Sequence, residues 1–507
     1  MKQAVWRALV LALITFTGVA LTGMTLTGCG RPADTVQSTE PTTGASQAAL
    51  QFAGWLRERV TTDNLYAHLT QLQNIAKANK GTRAVGTPGF EASIDYVVGI
   101  LRGRGFDVQI SQFLARVFKD GPVTLTVGGA PVTAKALEYS IATRGVSGPL
   151  VAAPVEDTPG CAASDYDRLP VAGAVVLVDR GVCPFSVKEA MAAQRGAVGL
   201  IVADNVDEQR MGATLGQATD VKIPVVGVSK ADGAKLRSKP GRVTLKVDAS
   251  TEISKARNVI AQTKTGSTNN VVMLGAHLDS VVDGPGINDN GSGVAAVLEA
   301  AVQFGSRPNI RNAVRFAFWG AEELGTVGSK NYVASLNVDQ LKDIALYLNF
   351  DMLGSPNPGY FTYDGDQSIP PRKDETEARV NEGSAGIERT LVTYLGDSGK
   401  IAQDTAFDGR SDYEAFTEAG VPSGGLFSGA EENKTPDQVK LWGGTPDAPF
   451  DPNYHKPTDT VDHIDRTALG INGGGAAYAA ALYAQDITGR DGIPQREDRV
   501  RHVLTLQ

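Results

Sequence analysis

Five side chains of the types that bind metal ions occur along the second half of this chain, and a sixth acidic residue adjoins one of them. Histidine nitrogens and carboxylate oxygens are usual ligands of zinc in enzymes. Two adjacent glutamates repel each other unless a cation lies nearby, in which case one can bind metal while the other acts as a general base. The candidate ligands are His277, Asp289, Glu323, Asp351 and His455, and the candidate base is Glu322. We therefore predict a site for two metal ions.

The elements that must position these residues follow from the apolar patterns after residue 253. Strand–helix alternation predicts an α/β fold with a mostly parallel central sheet and helices on both faces. Each candidate ligand comes at the end of a predicted strand or in the loop beyond it, where open α/β sheets bind their ligands. The predicted strands span 270–276, 313–319, 344–350 and 424–427, and the predicted helices span 292–304, 328–336 and 476–487.

Each candidate has a simpler explanation when it is considered alone. His277 fits a core histidine, and Asp289 fits an ordinary N-cap residue. Asp351 fits a strand end that faces solvent, and His455 fits an exposed loop. Asp279, two residues after His277, is of the right type to hold the other ring nitrogen of that histidine. The metal site is therefore predicted from the combination of residues, since no single residue requires it.

The N-terminus predicts export. Residues 1–28 contain two basic residues followed by an apolar run that is too short to cross a membrane comfortably, as in a signal peptide. The segment Leu26-Thr27-Gly28-Cys29 resembles the lipobox of bacterial lipoproteins, which implies a lipid on Cys29 and an anchor on the outer face of the cell membrane. The alternative is an ordinary signal peptide with an incidental cysteine. Residues 29–48 are rich in Pro, Ser, Thr and Gly, and we predict a flexible tether.

Cysteine content and charge bound the class of protein. Cys161 and Cys183 remain after Cys29 is set aside, and in an exported protein they favour one disulfide over two reduced thiols. The formal net charge is −8 and no basic stripe is present, so nucleic acid is excluded as an expected partner. We expect a monomer.

The pattern of apolar residues changes between residues 122 and 250, where short runs typical of β-strands recur around one helical segment. The segment Asp179-Arg180-Gly181-Val182-Cys183-Pro184-Phe185 resembles the protease-associated domain that is inserted in many exported peptidases. The resemblance implies a lid or a substrate-selecting role, and the alternative is a purely structural insert. The predicted divisions are a leader (1–28), a tether (29–48), the first part of the main domain (49–121), the insert (122–250), the catalytic domain (251–490) and a tail (491–507).

Together, the motifs around the candidate ligands resemble the co-catalytic zinc aminopeptidase family of exported bacterial enzymes. The resemblance covers about residues 253–486 together with the region 86–113, and it implies two zinc ions per chain. His277 and Asp351 would bind one ion, and Glu323 and His455 would bind the other. Asp289 would bridge the two. The implied substrates are peptides with a free N-terminus.

The same resemblance implies further roles. Glu322 would be the general base, Asp279 the partner of His277, and Tyr454 a donor to the oxyanion. Some relatives have a disulfide beside this tyrosine and the histidine that follows it, whereas no cysteine is available here, so the loop must be held in another way. The residues implied to contact substrate are Arg410, Asp351 and Met352.

Three other functions remain open at the level of sequence. A carboxypeptidase of the same fold needs a cationic pocket, which the sequence does not reveal. A glutaminyl cyclase uses one zinc ion, whereas all five ligands and Glu322 are retained here. A non-catalytic surface receptor typically lacks some of the ligands. An aminopeptidase is therefore the preferred prediction.

Overall fold

The computed structural model describes residues 46–155, 159–205, 213–370, 380–487 and 492–506. The predicted leader, Cys29 and all but the last three residues of the predicted tether lie outside the described residues. Within the described ranges, no helix combines the length and the apolar character that crossing a bilayer requires. The described chain contains two eight-stranded sheets.

Twelve α-helices are described, together with short 3-10 turns. The helices are α1 (Gln47–Arg59), α2 (Thr62–Ala78), α3 (Pro88–Gly103), α4 (Phe185–Gln194), α5 (Lys230–Ser238), α6 (Gly293–Phe304), α7 (Val327–Ala334), α8 (Val338–Asp343), α9 (Ser384–Asp397), α10 (Tyr413–Glu418), α11 (Pro436–Trp442) and α12 (Arg466–Gln485).

The strands of the first sheet are β1 (Val108–Lys119), β10 (Ser250–Gln262), β11 (Ser267–His277), β12 (Asn312–Trp319), β13 (Ile344–Phe350), β14 (Phe361–Tyr363), β15 (Gln403–Thr405) and β16 (Ser423–Phe427). Those of the second sheet are β2 (Val123–Val127), β3 (Ala130–Val132), β4 (Lys135–Ala136), β5 (Thr143–Ala152), β6 (Val175–Asp179), β7 (Gly199–Ala203), β8 (Val225–Val228) and β9 (Arg242–Val247).

The first sheet has the order β1-β10-β12-β11-β13-β16-β14-β15. Its four central strands, β12, β11, β13 and β16, run parallel, whereas β1 and β10 are antiparallel additions at one edge. The carboxyl ends of the parallel strands therefore meet at one edge of the sheet. The predicted α/β class with a mostly parallel sheet is confirmed.

Helices cover both faces of this sheet. Successive side chains of a strand point to opposite faces, and in the central strands both sets are apolar and must be buried. On β11, Val272 and Leu274 belong to the core that also contains α6 and α12. Met273, between them, packs on the opposite face with Trp319 and Tyr347. A continuous apolar run such as residues 271–276 of this strand is typical of a sheet that is buried on both sides.

Helix α12 begins at Arg466, ten residues before the predicted start. The carboxylate of Asp465 caps it by accepting a hydrogen bond from the amide of Ala468 at 2.8 Å. The three glycines at 473–475 disfavour a helix in isolation, which is why the sequence pattern missed this half. They are buried, and a Cβ on Gly475 would lie 2.5 Å from Cδ1 of Leu426, so they allow the helix to approach the sheet closely.

The second sheet emerges from a long ribbon of the first. Strands β1 and β10 pair antiparallel from Val108 opposite Ala261 to Lys119 opposite Ser250, and the chain between their far ends forms the second sheet. Strands β5, β6, β7 and β8 run parallel in it, and the sheet has its own apolar cores. The predicted disulfide between Cys161 and Cys183 is present.

Glycine substitutions test this account of α12. Gly99 is exposed within α3 and a Cβ there would meet nothing within 4 Å, so Gly99→Ala should raise the free energy of unfolding by about 0.5–1 kcal/mol. Gly475→Ala should lower it by roughly 1–3 kcal/mol because the core is overpacked. Urea denaturation followed by circular dichroism measures both. Stabilisation by Gly475→Ala would contradict the close approach.

Candidate metal centre

Three neighbouring strand ends supply four acidic or imidazole groups to one edge of the first sheet. His277 is the last residue of β11 and pairs in register with Trp319, the last residue of β12. Glu322 and Glu323 follow β12 after a short turn, and Asp351 directly follows β13. Because these strands are parallel neighbours, side chains that are far apart in sequence converge.

The remaining two candidate ligands come from loops. Asp289 lies in an irregular turn, Ile287–Ser292, that leads into α6, and the peptide bond between Asp289 and Asn290 is cis. His455 lies in the loop between α11 and α12 and has a φ of 56°. Ala321, which precedes the candidate base Glu322, and Met352, which follows the candidate ligand Asp351, also have positive φ. Left-handed backbone at non-glycine residues is uncommon and clusters at functional sites.

The five predicted ligands form two groups of three that share Asp289. Nε2 of His277 lies 3.1 Å from Oδ1 of Asp289 and 3.5 Å from Oδ1 of Asp351. Nε2 of His455 lies 3.0 Å from Oδ2 of Asp289 and 3.1 Å from Oε2 of Glu323. The two oxygens of one carboxylate therefore face different histidines.

Several of these atoms have no other use in the fold. Among the described residues, Nε2 of His277, Oε1 of Glu323 and Oδ1 of Asp351 are buried and make no well-aligned hydrogen bond. Buried polar atoms without partners are rare in native proteins and call for an explanation such as a bound ion. Nitrogen and carboxylate donors in groups of three fit the ligand sets that zinc accepts. The residues present therefore fit a pair of metal ions.

The shifted pKa values of the site show that positive charge would stabilise its carboxylates. Burial and the charge of Asp289 raise the pKa of Glu323 to about 7. Burial lowers the pKa of His455, but the charge of Glu323 and hydrogen bonds to the acidic groups raise it to about 11. Burial also raises the pKa of Glu322 well above its ordinary value. Protons are favoured here because buried carboxylates are close together, and metal cations satisfy the same demand.

Asp279 is buried beside His277, but it meets the ring in a way the sequence did not anticipate. Nδ1 of His277 lies 3.1 Å from the backbone carbonyl oxygen of Asp279, whereas the nearer carboxylate oxygen is 3.8 Å away. The carboxylate instead accepts hydrogen bonds from the amides of Glu322 and Glu323, at 3.2 and 3.3 Å. Asp279 therefore orients both sides of the site, with its backbone on one side and its side chain on the other.

Asp351 is held from behind by a chain of buried polar groups. The hydroxyl of Ser411 donates to Oδ2 of Asp351 at 2.7 Å, and Nδ2 of Asn349 donates to that hydroxyl at 2.9 Å. These bonds occupy one carboxylate oxygen and leave the other directed at His277. Charge-assisted hydrogen bonds of this kind orient metal-binding carboxylates.

Two aspartates that the sequence analysis did not select hold the loop of His455. Asp459 accepts hydrogen bonds from the amides of Asn288 and Asp289 at 2.7 and 3.1 Å. Asp451 accepts one from Nδ2 of Asn288 at 2.7 Å. These buried contacts join the loop to the turn of Asp289. The one sequence signal for these aspartates is their symmetric position, four residues before and after His455. Their hydrogen-bond partners could not be predicted, because they lie 160 residues or more away in the sequence.

Arg83 is a further support of the site that was not predicted from the sequence. Its side chain is fully buried, and its guanidinium donates to the carbonyl oxygens of Leu278, Pro285 and Gly286. These carbonyls belong to the segment that connects His277 to Asp289. Arg83 therefore sets the separation of two candidate ligands.

The remaining predicted residues line a cavity of about 830 Å³ that also contains Asp289, Glu322, Asp351 and His455. The ring of Tyr454 stacks on His455 with centroids 3.8 Å apart, and its hydroxyl accepts a hydrogen bond from Arg410 at 3.3 Å. Arg410 also pairs with Glu431 and Glu432. The lining residues Arg410, Met352 and Tyr454 were all candidates from the sequence.

Comparison with known proteins agrees with this arrangement. The sequence profile described as Peptidase family M28 matches residues 258–480, and the PA domain profile matches residues 146–236. A probable lipoprotein aminopeptidase LpqL of Mycobacterium tuberculosis is 68% identical over 463 residues, which cover 90% of this chain and 92% of the relative. This chain belongs to peptidase family M28.

Solved structures support the assignment to family M28. An aminopeptidase from Aneurinibacillus sp. strain AM-1 superposes with a TM-score of 0.71 at 26% identity, covering 87% of this chain and 98% of that one. A zinc aminopeptidase from Bacillus subtilis superposes with a TM-score of 0.61 at 25% identity, covering 87% and 99%. The sequence predictions of the family, the inserted PA domain and the class of metallo-aminopeptidase are confirmed.

The role of Arg83 in this M28 site can be tested by substitution. Arg83→Met would remove a donor from three buried carbonyl oxygens, although that of Gly286 also accepts from the amide of Gly291, and should lower the free energy of unfolding by about 3 kcal/mol or more. It should also weaken zinc binding, because the segment between His277 and Asp289 loses its support. Chemical denaturation and zinc titration measure the two effects. Arg102→Met, at an exposed position of α3, is the control and should change stability by less than about 0.5 kcal/mol. Unchanged zinc affinity in Arg83→Met would contradict this role.

Proposed function

We propose that this chain is an exported, lipid-anchored aminopeptidase that uses two zinc ions to hydrolyse the first peptide bond of its substrates. The observation that carries the proposal is the division of the five ligands into two groups that share Asp289. His277 and Asp351 would hold one ion, and Glu323 and His455 would hold the other. The name of the Bacillus subtilis relative supports zinc as the metal.

Glu322 is the proposed general base. When bound, the zinc ions supply a water of lowered pKa and polarise the scissile carbonyl. Glu322 lines the cavity beside the ligands but belongs to neither ligand group, and its Oε2 lies 3.8 Å from Nε2 of His277. Its carboxylate would accept a proton from the attacking water and pass that proton to the leaving amine. The amide of Glu322 is held by Asp279, which fixes the base relative to the ligands.

Tyr454 is the proposed donor to the developing oxyanion. Its hydroxyl accepts a hydrogen bond from Arg410, so its own proton is available to donate into the cavity. The stacking of its ring on His455 limits the positions that the hydroxyl can take. Preorganised donors of this kind stabilise charge that forms in the transition state.

The preference for a free N-terminus would follow from charge. The cavity next to the ligands contains several carboxylates, among them Glu322 and Asp351, which attract the ammonium group of the first residue. Two arginines line the cavity. Arg410 is already paired with Glu431 and Glu432, and Arg180 lies near Asp204 and over the ring of Phe185, which leaves both poorly suited to bind a C-terminal carboxylate. These contacts favour an aminopeptidase over a carboxypeptidase.

Glu322→Gln tests the mechanism. The amide cannot take a proton, so kcat for leucine amide should fall by roughly 10²–10⁴-fold while two zinc ions per chain remain bound. Steady-state kinetics and zinc analysis of the same preparation measure both, with N-acetyl-leucine amide as the blocked substrate. Glu252→Gln, at an exposed position on β10, is the control. Retention of full activity by Glu322→Gln would exclude it as the base, and one zinc ion per wild-type chain would contradict the two-metal proposal.

Cys29 tests the anchor. The relative named as a lipoprotein supports lipid attachment at the lipobox cysteine. Two or more acyl chains are needed for stable anchoring, and Cys29→Ser removes the attachment point for all of them. The variant should therefore move from the membrane fraction to the soluble or culture fraction, as followed by immunoblotting and radiolabelled palmitate. An unlabelled wild-type protein would contradict the proposal.

A further inference from the structure

The inserted PA domain contributes one continuous segment to the catalytic cavity. Residues Arg180, Gly181, Val182, Cys183, Pro184 and Phe185 line the same cavity as Asp289, Glu322, Asp351 and His455. The segment connects the end of β6 to the start of α4 and belongs wholly to the second sheet unit. A substrate in this cavity is therefore enclosed by two different parts of the chain.

The apex of this segment is a strained turn that exposes an apolar side chain. The amide of Cys183 donates to the carbonyl oxygen of Gly181 at 2.9 Å, and Val182 between them has a φ of 69°. This is a γ-turn of the rare type with positive φ. A β-branched residue in that conformation is an outlier that costs free energy and persists only where its surroundings impose it. Val182 is nevertheless 45% exposed, so the buried core gains little from it.

The surroundings that impose the turn are rigid. The disulfide joins Cys183 to Cys161 on a neighbouring segment. The fully buried Lys188 donates to the carbonyl oxygen of Pro159, and its Nζ lies 3.5 Å from Sγ of Cys161. The hydroxyl of Tyr166 donates to the carbonyl oxygen of Gly160 at 3.1 Å. These hydrogen bonds hold the segment that contains Cys161 in place, and the disulfide joins the turn at Cys183 to that segment.

The lining of the cavity includes both deeply buried and exposed side chains, and Val182 is one of the exposed ones. Tyr363, Phe407, Tyr413 and Phe450 line the cavity from the catalytic domain and are at most 7% exposed. We expect the first residue of an aminopeptidase substrate to lie among the buried part of the lining, because no residue precedes it and the chain leaves in one direction only. The rest of the peptide must then leave past the exposed lining, where Val182 lies.

We propose that the γ-turn at Val182 is the contact site for the substrate residue that follows the scissile bond, and that it makes the enzyme prefer an apolar residue there. The neighbouring cation does not compete for this role, since the guanidinium of Arg180 lies over the ring of Phe185 and near Asp204. Val182 is therefore the side chain at the apex that is available to a substrate. The inference rests on the aminopeptidase activity proposed above.

Charge substitutions at Val182 test the contact. Substrates would be leucine amide, whose leaving group is ammonia and cannot reach the turn, and the tripeptides Leu-Phe-Ala, Leu-Lys-Ala and Leu-Asp-Ala. Val182→Asp should lower kcat/KM for Leu-Phe-Ala by roughly tenfold and raise the ratio of Leu-Lys-Ala to Leu-Asp-Ala by a similar factor, and Val182→Lys should shift that ratio the other way. Hydrolysis of leucine amide should change by less than about twofold in all variants.

Two further variants separate contact from folding. Val182→Gly is compatible with positive φ, so it should fold at least as stably as the wild type and still lose the preference for Leu-Phe-Ala. Val155→Asp changes another exposed valine of the insert that does not line the cavity, and should leave every ratio unchanged. Ratios that do not change in the Val182 variants, or losses equal to those for leucine amide, would overturn the inference. A wild-type enzyme inactive on leucine amide would instead contradict the proposed function.

Discussion

The arrangement of the site depends on one carboxylate that faces two histidines. Asp289 lies about equally close to His277 and His455, at 3.1 and 3.0 Å, while Glu323 and Asp351 approach from the flanks. Buried acidic groups at such separations repel one another and are costly to remove from water. Positive charge, from protons or from the proposed metal cations, offsets this repulsion, and hydrogen bonds hold the surrounding backbone in place.

That fixation comes from buried polar contacts rather than from apolar packing. Arg83 holds the segment between His277 and Asp289, and Asp459 holds the backbone of Asp289 itself. Asp279 holds the amides of the two adjacent glutamates, and Ser411 holds Asp351. Each contact satisfies a buried donor or acceptor while it aims a ligand, which is why stability and geometry are coupled at this edge of the sheet.

The insert adds to this centre without supplying a ligand to either group. It grows out of the ribbon formed by β1 and β10, and its disulfide-linked loop returns to line the cavity. The strand ends of the first sheet carry the candidate catalytic residues, whereas the segment 180–185 of the insert is proposed to select the peptide. The catalytic domain would carry out the peptide hydrolysis, and the proposed contact at Val182 would favour substrates with an apolar residue after the scissile bond.

The sequence by itself determined the class of fold and the candidate ligands, because both are encoded locally. Apolar runs such as 344–350 coincide with β13, and each candidate ligand directly follows such a run or lies in a marked loop. Only the tertiary structure decided the supports of the site. The side-chain hydrogen-bond partners of Arg83 and Asp459 lie 170 to 203 positions away, and no local pattern specifies a contact at that range. The glycine-rich half of α12 was not predicted for a related reason. Close packing on the sheet stabilises this helix and outweighs the weak intrinsic helix propensity of its glycines, which is all that the sequence shows.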